Sequence, residues 1–266
     1  MDGIFRYSSP NFHYRVNYAE TSDQIEQLVT ELKREIDEEK ETILGFDTEM
    51  IDSRITPYNY CIDTTGCKFM PVVMIQLCTR RNVYIFHNIY LYKNRYIHPV
   101  LAKILRSENV IKVGFATHND SEGLYKTLGV GTANVIDLKS ISRLFRLPLS
   151  SLKDVSRWCT TYTLNKEDAH DWSRSLRGKE RTNSIEYAAL DAIVCLEAYE
   201  YIRKLYKIDF DDETDVIGWL ECRCKKDEKK EVLVAILSTE YLPWAQKYFL
   251  EQRKTKALEL VDKLKK

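Results

Sequence analysis

No apolar run in this chain approaches the ~20 residues needed to cross a bilayer, so no membrane-spanning helix is expected. Net charge is missing too: 40 basic and 40 acidic residues cancel. Without a global basic field, any attraction for nucleic acid has to be local. The seven cysteines are odd in number and scattered without paired spacing. That argues against a disulfide framework and for free thiols in a reducing compartment. Residues Met1-Asp2-Gly3-Ile4-Phe5-Arg6 lack the basic-then-apolar pattern of a secretory signal. The expected location is therefore cytoplasmic or nuclear. Proline is sparse, 6 of 266, and the 44% hydrophobic and 30% charged content is that of an ordinary soluble globular protein. The length allows one large domain, or a domain of about 180–200 residues with extensions.

What the chain does have is the stretch Ile43-Leu44-Gly45-Phe46-Asp47-Thr48-Glu49-Met50. Read as a strand, its side chains alternate, so Asp47 and Glu49 share one face and Thr48 takes the other. Two carboxylates on one face repel unless something neutralises them, and a divalent cation is the usual answer. A strand end with two solvated acids is the plainer reading of the triplet alone.

Residues 1–22 form an arm or early edge strand. Ile25, Leu28, Val29, Leu32 and Ile36 recur at helical spacing over Ser22–Glu41, with Thr21 or Ser22 as cap. The acids from Glu35 to Glu41 read as a solvated face. Residues 51–71 read as a long loop with Pro57, Gly66 and Pro71, uncommon inside a compact domain and often functional. Val72–Cys78 and Asn82–Phe86 read as a hairpin around Thr79-Arg80-Arg81. A short helix over Val100–Leu105, a strand over Val110–Phe115 and a helix opening at Asp120 follow. The strand Asn134–Leu138, a helix through Ile141 and Leu144, and a helix Ser151–Trp158 come next. The longest helical pattern runs from Ser184 to Tyr206. This order predicts an α/β or α+β mixed sheet, the former preferred, of about five or six strands flanked by helices. Asp209–Asp215 marks a boundary. Beyond it, 209–266 is a mostly helical extension with an amphipathic helix over Glu240–Lys265. That helix packs on its own domain or serves a protein partner or self-association.

Tyr187 and Asp191 are four residues apart, hence on one face of the long helix. Asp191 lies among Ala189, Leu190, Ala192 and Ile193, where an unpaired carboxylate is costly. The ordered set resembles the DEDD (DnaQ-like) superfamily of 3′–5′ exonucleases: Asp-x-Glu on a strand, Asp120 opening a helix after a strand with Gly114, and Tyr-x-x-x-Asp late in the chain. Tyr187 makes it similar to the DEDDy branch, with ribonuclease D and the Werner-syndrome exonuclease domain. Gln76, His87, Leu152, Lys166, Asp171-Trp172-Ser173, Leu176 and Tyr187–Ala192 fall in the family's order. The resemblance spans about Asp23 to Leu205. It implies a ribonuclease H-like fold and an exonuclease domain over 23–208. The loop at 51–71 is longer than usual for the family, and the tail does not resemble the helical nucleic-acid-binding domain of ribonuclease D.

The resemblance implies that Asp47, Glu49, Asp120 and Asp191 hold two divalent cations, Mg²⁺ or Mn²⁺. Such a pair activates a water and stabilises the leaving 3′-oxygen. It implies that Asp47 bridges the ions, with Glu49 and Asp191 on the ion nearest the water and Asp120 on the other through water. Tyr187, a phenol of reference pKa ~10, then orients the water rather than deprotonating it. The expected substrate is single-stranded nucleic acid or a 3′ overhang, RNA slightly favoured. Met50, an apolar residue beside the acids, is a candidate wedge between the terminal bases. Lys166, Trp172, Arg174 and Arg177 are further candidate substrate contacts, within a stretch from Lys139 to Arg181 whose basic excess suits phosphates. Two other readings remain at this stage. One is a catalytically silent nuclease-like scaffold. The other is a zinc module on Cys61/Cys67 and Cys222/Cys224, whose spacing is poor for zinc.

Overall fold

The computed structural model describes residues 3–51, 61–62, 68–87, 97–144, 147–164 and 171–206. Lys166, the tail 209–266 with its expected helix, and most of the loop 51–71 lie outside the described residues. The strands are β1 (Phe5–Ser8), β2 (Arg15–Ala19), β3 (Ile43–Met50), β4 (Cys61–Ile62), β5 (Lys68–Phe69), β6 (Val72–Cys78), β7 (Asn82–His87), β8 (Ile111–Gly114) and β9 (Val135–Asp137). The helices are α1 (Ser22–Glu38), α2 (Pro99–Arg106), α3 (His118–Leu128), α4 (Leu138–Leu144), α5 (Leu152–Cys159) and α6 (Gly178–Tyr206).

Seven strands form one mixed sheet in the order β1-β2-β7-β6-β3-β8-β9. β3 is an interior strand, antiparallel to β6 and parallel to β8, and β8 is parallel to β9. The α/β mixed sheet expected from the sequence is present, with more strands than expected. The additional ones come from residues 5–19, where β1 pairs antiparallel with β2 and β2 runs parallel to β7. A two-stranded ladder, β4 with β5, interrupts the stretch read as a plain loop.

Alternation along β3 divides the core. Leu44 and Phe46 join Leu28, Leu32, Leu101, Leu105, Leu124 and Leu128 from α1, α2 and α3 on one face. On the opposite face, α6 lays Ile185, Ala188, Ala189, Ala192 and Ile193 against the sheet. α4 and α5 pack on the same side through Leu138, Ile141, Leu152 and Val155.

Local chemistry sets the ends of these elements. Thr21 caps α1, accepting from the Gln24 N–H while the Gln24 side chain accepts from the Thr21 N–H. Ser151 and Asp154 make the same reciprocal pair at α5. One acid of the expected solvated face of α1 is not solvated: Glu35 is buried and accepts from the Tyr84 hydroxyl at 2.6 Å. A buried carboxylate survives because β7 supplies donors. α6 begins at Gly178, six residues before the apolar period does. Its first turns carry Lys179, Glu180, Arg181, Thr182 and Asn183, which give no periodic signal.

Candidate active site

β3 delivers its acids to the edge of the sheet where β3, β8 and β9 end. Gly45 makes this possible. A β-carbon there would stand 2.1 Å from the Ala192 carbonyl oxygen and 3.1 Å from the Leu196 Cβ. Strand and helix are therefore almost in backbone contact, one residue from Asp191. Carboxylate oxygens of Asp47, Glu49 and Asp191 all lie within 4.8 Å of one another. Asp191 is buried and the other two are half-buried. No other cluster of three or more His, Cys, Asp or Glu ligands occurs among the described residues.

The donor set fits a hard divalent cation: converging carboxylate oxygens, with no soft ligand among them. Gln76 lies directly across from Asp47 on β6. It is wholly buried, and neither end of its carboxamide meets a protein partner. A buried amide in that state calls for a polar neighbour.

Asp120 stands apart from this trio. It lies in the first turn of α3, and one of its carboxylate oxygens accepts from the Thr48 hydroxyl at 2.5 Å. Thr48 occupies the opposite face of β3 from Asp47 and Glu49, so α3 brings its acid from the far side of the sheet. Burial pushes the Asp120 carboxyl up to about 6, against the lowering effect of the Thr48 bond, and Asp137 adds to the rise. Asp137, at the end of β9, accepts from the backbone N–H groups of Ala116 and Lys139, each at 2.8 Å. Ala116 has φ of 58°, a left-handed conformation that costs a non-glycine residue. The acceptor on Asp137 holds this turn between β8 and α3, four residues before Asp120. Sequence reading missed Asp137, whose only signal was an acid at the end of an apolar strand.

Tyr187 is half-buried one turn before Asp191, its ring tilted 35° to that of Trp172 at 6.4 Å between centroids. Trp172 also meets the His87 ring edge-on, and its carbonyl lies 2.9 Å from His87 Nε2. The other ring nitrogen of His87 bonds the Tyr18 hydroxyl at 2.6 Å. Burial lowers the pKa of His87, in keeping with a neutral imidazole fixed between two partners. Glu186, beside Tyr187, accepts from Tyr7, Ser9 and Asn11, so the N-terminal segment is tied to the same turn of α6.

The expected substrate contacts fare differently. Trp172 is only 4% exposed; its ring is spent on His87 and Tyr187 and is not open to stack on a base. Met50 turns to the α3 face, its Cε 2.8 Å from where a β-carbon on Gly123 would stand. It packs the helix that carries Asp120. Arg174 pairs with Asp171 at 3.2 Å and Glu180 at 2.5 Å, and Arg177 pairs with Glu20 at 2.7 Å. Both guanidiniums are exposed but already matched by acids. His118, at the start of α3, is exposed and faces Glu122 at 3.8 Å.

A family model described as 3′-5′ exonuclease matches residues 16–207. The exonuclease 3′-5′ domain-containing protein 2 of Drosophila melanogaster is 28% identical over 162 residues, which are 59% of this chain and 25% of that protein. The chain thus spans a quarter of the length of this curated relative. The catalytic core of RRP6 from Trypanosoma brucei shares the fold with a TM-score of 0.56 at 22% identity, over 71% of this chain and 46% of that one. The Trypanosoma brucei RNase D in complex with GMP gives 0.57 at 19% identity, over 86% and 63%.

Proposed function

This chain belongs to the 3′–5′ exonuclease family, and from that premise we propose that it hydrolyses nucleic acid from the 3′ end, releasing nucleoside monophosphates. The observation that carries this reading is the convergence of the Asp47, Glu49 and Asp191 carboxylates, with Tyr187 one helical turn from Asp191. The substrate is single-stranded nucleic acid or a 3′ overhang. The likeness to an RNase D bound to GMP leans the reading toward RNA.

In this proposal Asp47, Glu49 and Asp191 would hold Mg²⁺ or Mn²⁺, and Asp120 would serve a second ion. When bound, two such ions supply a water of lowered pKa and neutralise charge on the leaving 3′-oxygen. The chain's own groups do the rest. The Tyr187 hydroxyl orients the attacking water by hydrogen bond, while Trp172, itself held by His87, packs against the Tyr187 ring. Thr48 fixes the Asp120 carboxylate on the other side of β3. No helix among the described residues is long and apolar enough to cross a membrane. The buried thiols of Cys78, Cys159 and Cys195 suit a reducing compartment, cytoplasm or nucleus.

The test is the first product released. A strand labelled at its 3′-terminal nucleotide is incubated with protein and Mn²⁺ and resolved by chromatography. Labelled nucleoside monophosphate as the earliest product supports the proposal. Label appearing first in longer fragments contradicts it.

A further inference from the structure

A concave site of about 510 Å³ opens beside α4, lined by Lys139, Ser142, Arg143, Leu147, Pro148 and Leu149, with Ser150 at its rim. Its place in the fold follows from the sheet. β3, β8 and β9 are parallel neighbours, with Gly45 level with Val113 and Gly114 level with Asp137. Lys139 comes two residues after the end of β9, in the first turn of α4, so it stands at the same edge of the sheet as Asp47. It lies two strand spacings away, about 10 Å. Asp137 links the two places: its charge acts on Asp120, while Lys139 and Arg143 act on Asp137.

The chemistry of the concavity is one-sided. Lys139 and Arg143 lie four residues apart, on one face of α4. Neither makes an ion pair with any described acid, unlike Arg174 and Arg177. Two acids close by in sequence, neither in the lining, already accept hydrogen bonds, and the charge of Asp137 reaches both cations without an ion pair. Asp137 accepts from the Ala116 and Lys139 backbone N–H groups. Asp154 accepts from the Ser150 and Ser151 hydroxyls. The wall is built rather than loose, because the buried Ser142 hydroxyl lies 3.1 and 3.0 Å from the Leu147 and Leu149 carbonyls and ties that segment to α4. Two unmatched cations beside an apolar Leu147-Pro148 wall suit a phosphodiester with its sugar or base.

We propose that Lys139 and Arg143 form a phosphate-binding subsite for the part of a single strand lying 5′ of the nucleotide at the acids. The proposal rests on the nuclease reading and names how the same site holds its polymer. It makes chain length matter: the shortest substrates end before reaching α4.

Binding in EDTA, without turnover, separates this subsite from the chemistry. Fluorescence anisotropy is recorded with 5′-labelled single strands of two, four, six and ten nucleotides, RNA and DNA, across a salt series. The wild type is compared with Lys139→Gln/Arg143→Gln. The expected ratio of variant to wild-type Kd rises with length, from near one for the dinucleotide to about tenfold for the decamer. The slope of log K against log salt for the decamer becomes shallower by about 1.4, roughly 0.7 for each lost phosphate contact. The swap Lys139→Arg/Arg143→Lys restores both, which excludes misfolding as the cause. A decamer affinity within twofold of wild type, an equal loss at every length, or no wild-type binding to any strand overturns the subsite. A wild type that binds the decamer with this length dependence yet digests nothing under Mn²⁺ refutes the nuclease reading and leaves the subsite standing.

Discussion

Gly45 and Ala192 are in such close approach that a β-carbon on Gly45 would stand 2.1 Å from the Ala192 carbonyl oxygen. This contact sets the distance between β3 and α6, and hence between the acids each carries. Gly45→Ala therefore forces the helix outward. Overpacking of this kind costs about 1–3 kcal/mol, seen as a lower urea midpoint. The larger effect is expected on metal affinity: calorimetric titration with Mn²⁺ should show at least a tenfold weaker site. A variant with wild-type Mn²⁺ affinity contradicts the claim that this contact holds the trio together.

Thr48 reaches Asp120 from the face of β3 opposite Asp47 and Glu49. Thr48→Ser keeps the hydroxyl and is expected to stay within about threefold of wild-type activity. Thr48→Val keeps the shape but removes the hydroxyl donor from a buried carboxylate that retains only backbone donors, a loss of about 1–3 kcal/mol. Released nucleotide under Mg²⁺ should fall about tenfold or more for Val. Equal rates for Ser and Val would mean that the bond does not position Asp120.

Asp137 supports the left-handed Ala116 turn that leads into α3. Asp137→Asn retains an acceptor oxygen for the Ala116 N–H, whereas Asp137→Ala retains none. Thermal unfolding should show the larger drop for Ala, by about 1–3 kcal/mol for the donors left unsatisfied. Ala116→Gly relieves the same turn and is expected to be neutral or stabilising. Destabilisation by Ala116→Gly would contradict this account.

Lys112 is wholly buried on β8, its Nζ donating to the Ser107 and Val110 carbonyls at 2.8 and 2.6 Å. Burial pulls its pKa down from 10.5 to about 7. Above pH 7 the folded chain gives up a proton that the unfolded chain keeps until about pH 10.5. Unfolding free energy should therefore rise with pH across that window, by up to about 1.4 kcal/mol per unit. Taking the difference between wild type and Lys112→Met in urea melts from pH 7 to 9 cancels the titration of other groups. The rise should be present in the wild type and absent in the variant; parallel curves would contradict it.

The acids and Tyr187 were legible because the groups needed at this site leave a fixed grammar: alternation on β3, a helix opening at Asp120, an i, i+4 pair on α6. The central sheet was legible for the same reason, through apolar runs of strand length. What the sequence hid were relationships that only packing creates. Glu35 looks solvated until Tyr84 is seen to meet it. Trp172 and Arg177 look ready for substrate until His87 and Glu20 occupy them. β1 and β2 are short and mixed in polarity, since β1 is an edge strand with alternate residues exposed, so their period was not visible. Gly45 gave no signal beyond being a glycine in an apolar strand.

The central claim is that this acidic trio hydrolyses a strand from its 3′ end. The direct test gives purified protein a 5′-labelled single strand, as RNA and as DNA, with Mg²⁺, Mn²⁺ or EDTA, beside Asp47→Ala and Asp191→Ala. The account predicts a ladder shortening one nucleotide at a time from the 3′ end, absent in EDTA and in both variants, with RNA the better substrate. Intact strands with wild-type protein in both metals, or a ladder that survives Asp191→Ala, would contradict it.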